Sequence, residues 1–253
     1  MDALIPLASA LAPAILLVLY ATYRDRRNPE PLGKIVRGIF YGLLSVLLTL
    51  IIVPLMGEVL QMAGLSWVYG VPVLSGAFMA FYDAAIPEET AKLLMLWLLL
   101  RRNREYEEHM DGIVYAVCVG MGFAGLENVL YVIQSEGEWV STAIVRALLS
   151  VPGHYIFAVL MGFFYSLVHF QPQRFGKYRL CVWLFPVLAH GIYDAICMVG
   201  DDLKLSGLAM IPLIWFCIKM HKFCFKRIRS LELQDQDQRD LDTFTRAMEE
   251  EKR

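Results

Sequence analysis

The chain has 253 residues, of which 57% are hydrophobic, and its mean hydropathy is +0.50. These values are too apolar for an ordinary soluble domain and indicate a protein that crosses a membrane several times. A formal net charge of only −2 gives no sign of a nucleic-acid partner. The five cysteines form no CxxC pair, which favours buried thiols over a disulfide framework or a zinc ribbon.

Seven stretches are long and apolar enough to cross a bilayer, since a helical span needs about 20 mostly apolar residues. The first lacks a basic start and a convincing cleavage site, so it is not predicted to be a normal signal peptide. The third contains Pro72 and Pro87, which leaves open a straight, kinked or re-entrant segment. In chain order the stretches cover residues 2–22, 36–57, 72–100, 111–134, 146–170, 178–199 and 203–221.

Loops rich in lysine and arginine alternate with loops that contain few or none. They are frequent after the first, third, fifth and seventh spans, absent after the second and fourth, and reduced to Lys204 after the sixth. Because basic residues are retained on the cytoplasmic side, we predict an all-α, polytopic membrane helix bundle of about seven transmembrane helices. Its N-terminus is predicted to lie outside and its C-terminus inside.

The bundle is predicted to occupy residues 1–221, followed by a charged cytoplasmic tail at 222–253. Leu241, Phe244 and Met248 have helical spacing in this tail. A short amphipathic helix and a disordered tail are both compatible with that pattern.

The third span contains the charged stretch "EETAK". Glu88 and Lys92 are four residues apart and share a helix face, and Glu89 is three residues before Lys92. Charge inside a bilayer is costly, so such residues are by default a functional-site hypothesis. A neutralising ion pair without chemistry is the alternative.

Three later spans carry further polar groups. In the fourth, Phe123, Glu127 and Tyr131 share one face, with Asn128 beside them. These side chains could also serve only to join helices by hydrogen bonds. The fifth span holds His154, which alone would suggest a satisfied core histidine.

The sixth span holds His190 and Asp194, which are four residues apart. At a rise of about 1.5 Å per residue, the acids and histidines of all four spans lie roughly 16 to 24 Å from the inner boundary. We therefore expect one polar layer in the outer half of the bilayer, formed by Glu88, Glu127, His154, His190 and Asp194.

Paired carboxylates near a lysine suit general acid–base hydrolysis. One glutamate takes a proton from water, and His or Asn side chains can donate to an oxyanion. The sequence offers no serine elbow and no cysteine beside a histidine, so nucleophilic acyl transfer is unsupported. Glu127, His154 and His190 also match a zinc site with an open position, with Glu88 or Glu89 as base, although HExxH is absent.

Four ordered motifs resemble the PrsW family of bacterial intramembrane proteases: "EETAK", "DGIVYAVCVGMGFAGLENVLY", "RALLSVPGHYIFAVLMG" and "HGIYD". The resemblance covers about residues 85–200, and Glu88 and Glu89 match the first motif. It implies a glutamate-dependent membrane protease that makes the first cut in a membrane-anchored anti-sigma factor, and thereby releases a sigma factor of the stress response.

The family also resembles the CAAX prenyl endopeptidases and bacteriocin-processing membrane proteases. Phe123 and Glu127 match a motif that reads FxxxH in those relatives, and His190 and Asp194 match a motif that there ends in Asn. Those relatives look glutamate-driven, which favours a metal-free site, whereas the additional carboxylate of Glu127 is more easily accommodated beside a cation such as zinc. Both alternatives stay open.

Two other functional classes fit part of the pattern. Buried Glu, Asp, Lys and His residues also form relays in proton- or ion-coupled transporters, but the chain shows no internal repeat. A non-catalytic sensor or scaffold could use the charged tail to bind a partner. Cleavage of a substrate would separate the protease from both.

Overall fold

The computed structural model describes residues 4–135 and 137–250, and within these ranges every regular element is helical, with no β-strand. This confirms the predicted all-α fold class. The start of the first predicted span, at residue 2, and the last tail residues, 251–253, lie outside the described residues. The helices are α1 (Leu4–Arg24), α2 (Leu32–Met62), α3 (Leu74–Met79), α4 (Ile86–Leu100), α5 (His109–Gln134), α6 (Trp139–Val145), α7 (Val151–Phe170), α8 (Pro172–Phe175), α9 (Cys181–Asp202) and α10 (Ser206–Glu250).

Six helical stretches in the described part of the chain are long and apolar enough to cross a membrane. They are α1, α2, α5, the continuous stretch of α6 and α7, α9 and α10. The third predicted span, 72–100, is helical from Leu74 to Leu100. Asp83, Glu88, Glu89 and Lys92 make it more polar than the other six. The count of seven spans and the orientation therefore stay predictions.

Two π-helical turns interrupt the α-helical geometry. They cover Ala80–Ala85, between α3 and α4, and Arg146–Ser150, between α6 and α7. Each is followed by a proline near the start of the next helix, Pro87 or Pro152. Proline lacks an N–H group and its ring clashes with an earlier carbonyl, so a wider turn accommodates it without ending the helix. The third predicted span is thus helical throughout residues 74–100.

Helix α5 lies at the centre of the bundle and packs against α1, α2 and α7. Small residues allow the approach to α7. A Cβ atom on Gly120 would lie 2.7 Å from the Cβ atom of Ala158, and one on Gly162 would lie 2.5 Å from the carbonyl oxygen of Gly112. Close packing at these small residues fixes the two helices that carry Glu127 and His154.

Helices α2 and α5 are also closely packed. A Cβ atom on Gly42 would meet the carbonyl oxygen of Val119 and would lie 2.7 Å from the Cα atom of Gly122. Backbone atoms cannot move aside as a flexible side chain can. Glycine at position 42 is therefore required for this helix contact.

The C-terminal helix α10 is continuous from Ser206 to Glu250, so the predicted border at residue 221 falls inside a helix. Beyond that border, Cys224, Ile228 and Leu231 are buried in the main hydrophobic core. The tail is helical through Glu250, in agreement with the helical alternative. Its outer apolar residues, Leu241, Phe244 and Met248, are exposed.

Candidate active site

The first turn of α4 presents the acid pair. Lys92 Nζ donates to Glu89 Oε1 at 2.8 Å and to Glu88 Oε2 at 3.1 Å. Glu89 is buried, with 1% of its side chain exposed, whereas 12% of the Glu88 side chain is exposed. The two adjacent carboxylates therefore share one ammonium group but differ in their access from outside.

His154, on α7, connects the acid pair to α5. Its Nδ1 atom lies 3.2 Å from Lys92 Nζ, and its Nε2 atom lies 3.0 Å from Glu127 Oε2. A lysine ammonium only donates, so the Nδ1 atom accepts and the ring proton lies on Nε2, facing the carboxylate. Glu127 thus fixes the orientation and the tautomer of His154.

His190, on α9, contacts two carboxylates. Its Nδ1 atom lies 2.9 Å from Glu89 Oε1, and its Nε2 atom lies 3.1 Å from Asp194 Oδ2. The ring stacks on Phe157, with 4.7 Å between the ring centroids. Gly191 allows the close approach of α9 to the π-helical turn at Ala80–Ala85, because a Cβ atom there would overlap the ring of Phe81.

Glu127 pairs with Arg146, which is the second permanent cation of the site beside Lys92. The Nη2 atom of Arg146 donates to Glu127 Oε2 at 2.6 Å, and its Nε atom donates to Asn128 Oδ1 at 2.8 Å. The guanidinium also lies 3.9 Å from the ring centroid of Tyr131. Asn128 in turn donates to the carbonyl oxygen of Ala10 at 2.7 Å. Arg146 therefore joins the π-helical turn before α7 to α5.

The predicted supporting residues fall into two groups. Phe123 contacts the ammonium group shared by the acid pair, since Lys92 Nζ is 3.8 Å from its ring centroid. Asn128 and Tyr131 contact Arg146 and not the acid pair. Phe123 therefore belongs to the centre of the site, and the other two to its Arg146 side.

Four of the predicted site residues converge in the structure. One potential ligand atom from each of Glu88, Glu89, His154 and His190 lies within 4.8 Å of the others. Glu127 lies outside this group of four, although it was among the three predicted metal ligands. Asp194 also lies outside and contacts His190.

The group of four suits a divalent cation by two observations. Two imidazoles with two carboxylates are a common donor set for zinc and related metals. In addition, Glu89 Oε2 is buried and has no hydrogen-bond partner within residues 4–135 and 137–250. Four carboxylates face the two permanent cations here, Lys92 and Arg146, and His190 lies between two of these carboxylates.

Arg146 and Phe157 were not predicted as site residues. The sequence places Arg146 at the outer end of its span, because ordinary helical spacing gives no sign of the π-helical turn. A count of charges offers a signal, since Glu88, Glu89 and Glu127 require more than Lys92 to balance them. Phe157, one of many apolar residues on α7, carries no such signal.

Known proteins are similar to most of this chain. A family model described as "PrsW family intramembrane metalloprotease" matches residues 30–220. Protease PrsW of Geobacillus kaustophilus (strain HTA426) is 33% identical over 217 residues, which are 85% of this chain and 90% of that protein. Protease PrsW of Bacillus subtilis (strain 168) is 32% identical over 211 residues, or 83% and 90% of the two chains. No solved structure matches significantly.

A multi-pass helical bundle with a buried layer of acids and histidines, together with these relatives, defines the class: a membrane-embedded peptide hydrolase of the bacterial membrane. Within that class, the chain belongs to the PrsW family of intramembrane metalloproteases. The description of the family calls its members metalloproteases without specifying the metal. This favours a metal-dependent mechanism over a metal-free one.

Proposed function

We propose that the chain hydrolyses a peptide bond of a membrane-anchored protein near the extracytoplasmic side of the membrane. The observation that carries this proposal is the convergence of Glu88, Glu89, His154 and His190 from three helices. Together with the ammonium group of Lys92, these residues bring acids and imidazoles to one buried point, as general acid–base hydrolysis requires.

Glu88 is proposed as the residue that takes a proton from the attacking water. Of the two adjacent acids it is the more exposed, so a substrate and a water molecule can reach it. Its Oε2 atom is held by Lys92, which leaves the carboxylate oriented but not enclosed. The same carboxyl then returns the proton to the leaving amine, and the peptide bond breaks.

Glu89, His154 and His190 are proposed to hold the metal. These three are the most deeply buried members of the group of four, and three protein ligands with one open position are typical of catalytic zinc. When bound, such an ion polarises the scissile carbonyl and lowers the pKa of water toward about 7.

The remaining residues are proposed to position these groups. Glu127 accepts the Nε2 proton of His154 and so leaves Nδ1 facing the acid pair. Asp194 holds His190 in the same way at Nε2. A carboxylate behind a ligating histidine is the usual arrangement around protein-bound metals.

An anti-sigma factor anchored by one transmembrane helix is the proposed substrate. The resemblance of the four motifs to the PrsW family supports this choice, together with the predicted position of the site in the outer half of the bilayer. A cut at that depth would separate the extracytoplasmic part of the substrate from its membrane anchor. The transporter and scaffold alternatives find no support in the relatives, which are named as proteases.

Reconstitution tests the proposal. Purified protein and a single-span anti-sigma factor are placed together in liposomes, and products are identified by mass spectrometry. We expect one new terminus near the extracytoplasmic boundary of the substrate helix. Absence of cleavage of a panel of single-span anti-sigma factors, or equal cleavage by the Glu88→Gln variant, would overturn the proposed substrate or the proposed base, respectively.

A further inference from the structure

A second cluster of acids lies at the opposite end of the bundle. Asp25 directly follows α1, and Glu108 and Asp111 lie at the start of α5. One carboxylate oxygen of each lies within 4.8 Å of the other two. Asp111 and Glu127 are on the same helix and, at 1.5 Å per residue, about 24 Å apart. The cluster is therefore separate from the candidate active site.

Two of these carboxyl groups are buried without compensation. Asp25 is 5% exposed and Asp111 is fully buried. Among the described residues, neither Asp25 Oδ2 nor Asp111 Oδ1 has a hydrogen-bond partner. The other oxygen of Asp111 accepts the backbone N–H groups of Glu107 and Glu108 at 2.8 Å. An unpartnered buried carboxylate is costly, so these oxygens need either a proton or a cation beside them.

Within residues 4–135 and 137–250, no arginine forms a salt bridge with Asp25 or Asp111. Arg239 pairs with Glu108, and Arg24 pairs with Glu232 at 2.6 Å. A cavity of about 240 Å³ adjoins Asp25 and Glu108, and it is also lined by Arg24, Arg26, Arg27, Arg229 and Arg239.

We propose that Asp25, Glu108 and Asp111 bind a hard divalent cation, Mg²⁺ or Ca²⁺. All three donors are carboxylate oxygens, which these cations prefer, whereas zinc favours nitrogen and sulfur. The adjoining cavity leaves room for the water molecules that both ions retain. Bound there, the cation joins the loop after α1 to the start of α5, next to the contact between Glu108 and Arg239 of α10.

Cation titration of the full-length protein tests this site. The detergent-solubilised chain is stripped with EDTA and then titrated with MgCl₂ or CaCl₂ in separate calorimetric and thermal-unfolding experiments. We expect saturable binding with one of the two ions and an increase of several degrees in the unfolding temperature, because a ligand of the native state stabilises it. The two titrations show which ion the cluster selects.

Variants separate this site from other sites of cation binding. Asp25→Asn should abolish the response, whereas Asp237→Asn, at an exposed position of α10, should retain it. A Glu88→Gln/Glu89→Gln double variant should also retain it, since the response does not come from the candidate active site. Glu108→Gln replaces Asp25→Asn if that variant does not fold. An equal response in native and cluster variants, or no response of the native protein up to millimolar concentrations, would overturn the proposal.

Discussion

Lys92 is the residue at which the candidate active site converges. Its ammonium group lies within 3.2 Å of Glu88, Glu89 and His154, and over the ring of Phe123. The two acids it holds are chemically identical but differ in exposure. This difference is the basis for assigning one as the base and the other as a ligand.

Replacement of either acid by its amide should stop proteolysis. We expect Glu88→Gln and Glu89→Gln each to lower the cleavage rate by at least about 10²-fold, because an amide cannot take a proton and is a poor metal ligand. Expression and membrane insertion should be unchanged, since glutamine retains the size and hydrogen bonds of glutamate. Glu58→Gln, an exposed acid on α2, is the matched control. Near-normal cleavage by both amide variants would make the pair structural.

Metal content should distinguish the proposed metal ligands from the residues that orient them. Elemental analysis of purified active protein should give one transition-metal ion per chain, and Glu89→Gln or His190→Gln should abolish it. Glu127→Gln should weaken the affinity only about 10- to 100-fold, as expected for a partner of a ligating histidine. Chelation should remove activity and zinc should restore it. Full activity of metal-free protein would contradict the metal site and support the metal-free alternative.

The sequence predicts the members of the site better than their contacts. Helical rise alone places Glu88, Glu127, His154 and His190 at similar depth, because depth depends only on distance along each helix. Which side chains touch depends also on rotation about the helix axes. For this reason Glu127 was grouped with the ligands, whereas the structure pairs it with Arg146 and with the outer side of His154.

At the scale of helices, the two π-helical turns are the main departure from sequence expectation. The turn at Arg146–Ser150 changes the rotation of Arg146 relative to His154, and Arg146 faces the site instead of merely marking the end of a span. The prolines that accompany the turns are visible in the sequence, but proline predicts a kink as readily as a π-helical turn. The continuity of α10 beyond residue 221 is likewise not predictable from the sequence. Composition does not reveal the tertiary contacts of the C-terminal half of this helix.

Close packing of α2 against α5 can be tested with two glycines of the same helix. Gly42→Ala should lower the free energy of unfolding by about 1–3 kcal/mol, because the new methyl group meets backbone atoms of α5. Gly57→Ala is the control, since a Cβ atom there has no neighbour within 4 Å, and alanine favours a helix by up to about 1 kcal/mol. Thermal unfolding in detergent measures both. Equal effects of the two changes would argue against the contact.

At the scale of the whole molecule, the orientation determines which side of the membrane receives the cut substrate. The alternation of basic loops predicts seven spans with the N-terminus outside. A reporter fused after Gly137 should therefore be extracytoplasmic and one fused after Arg104 cytoplasmic. The opposite result at both sites would reverse the orientation and place the polar layer in the inner leaflet.

The position of Lys92 also has a consequence for the biogenesis of the protein. Its ammonium already neutralises part of the acid layer, so a newly inserted chain can close its helices around Glu88, Glu89 and His154 before any ion is delivered. With the proposed metal site, the ion would balance the negative charge that Lys92 leaves over, while Lys92 stays on Glu88. Assembly of the helices and loading of the metal are then two separate steps.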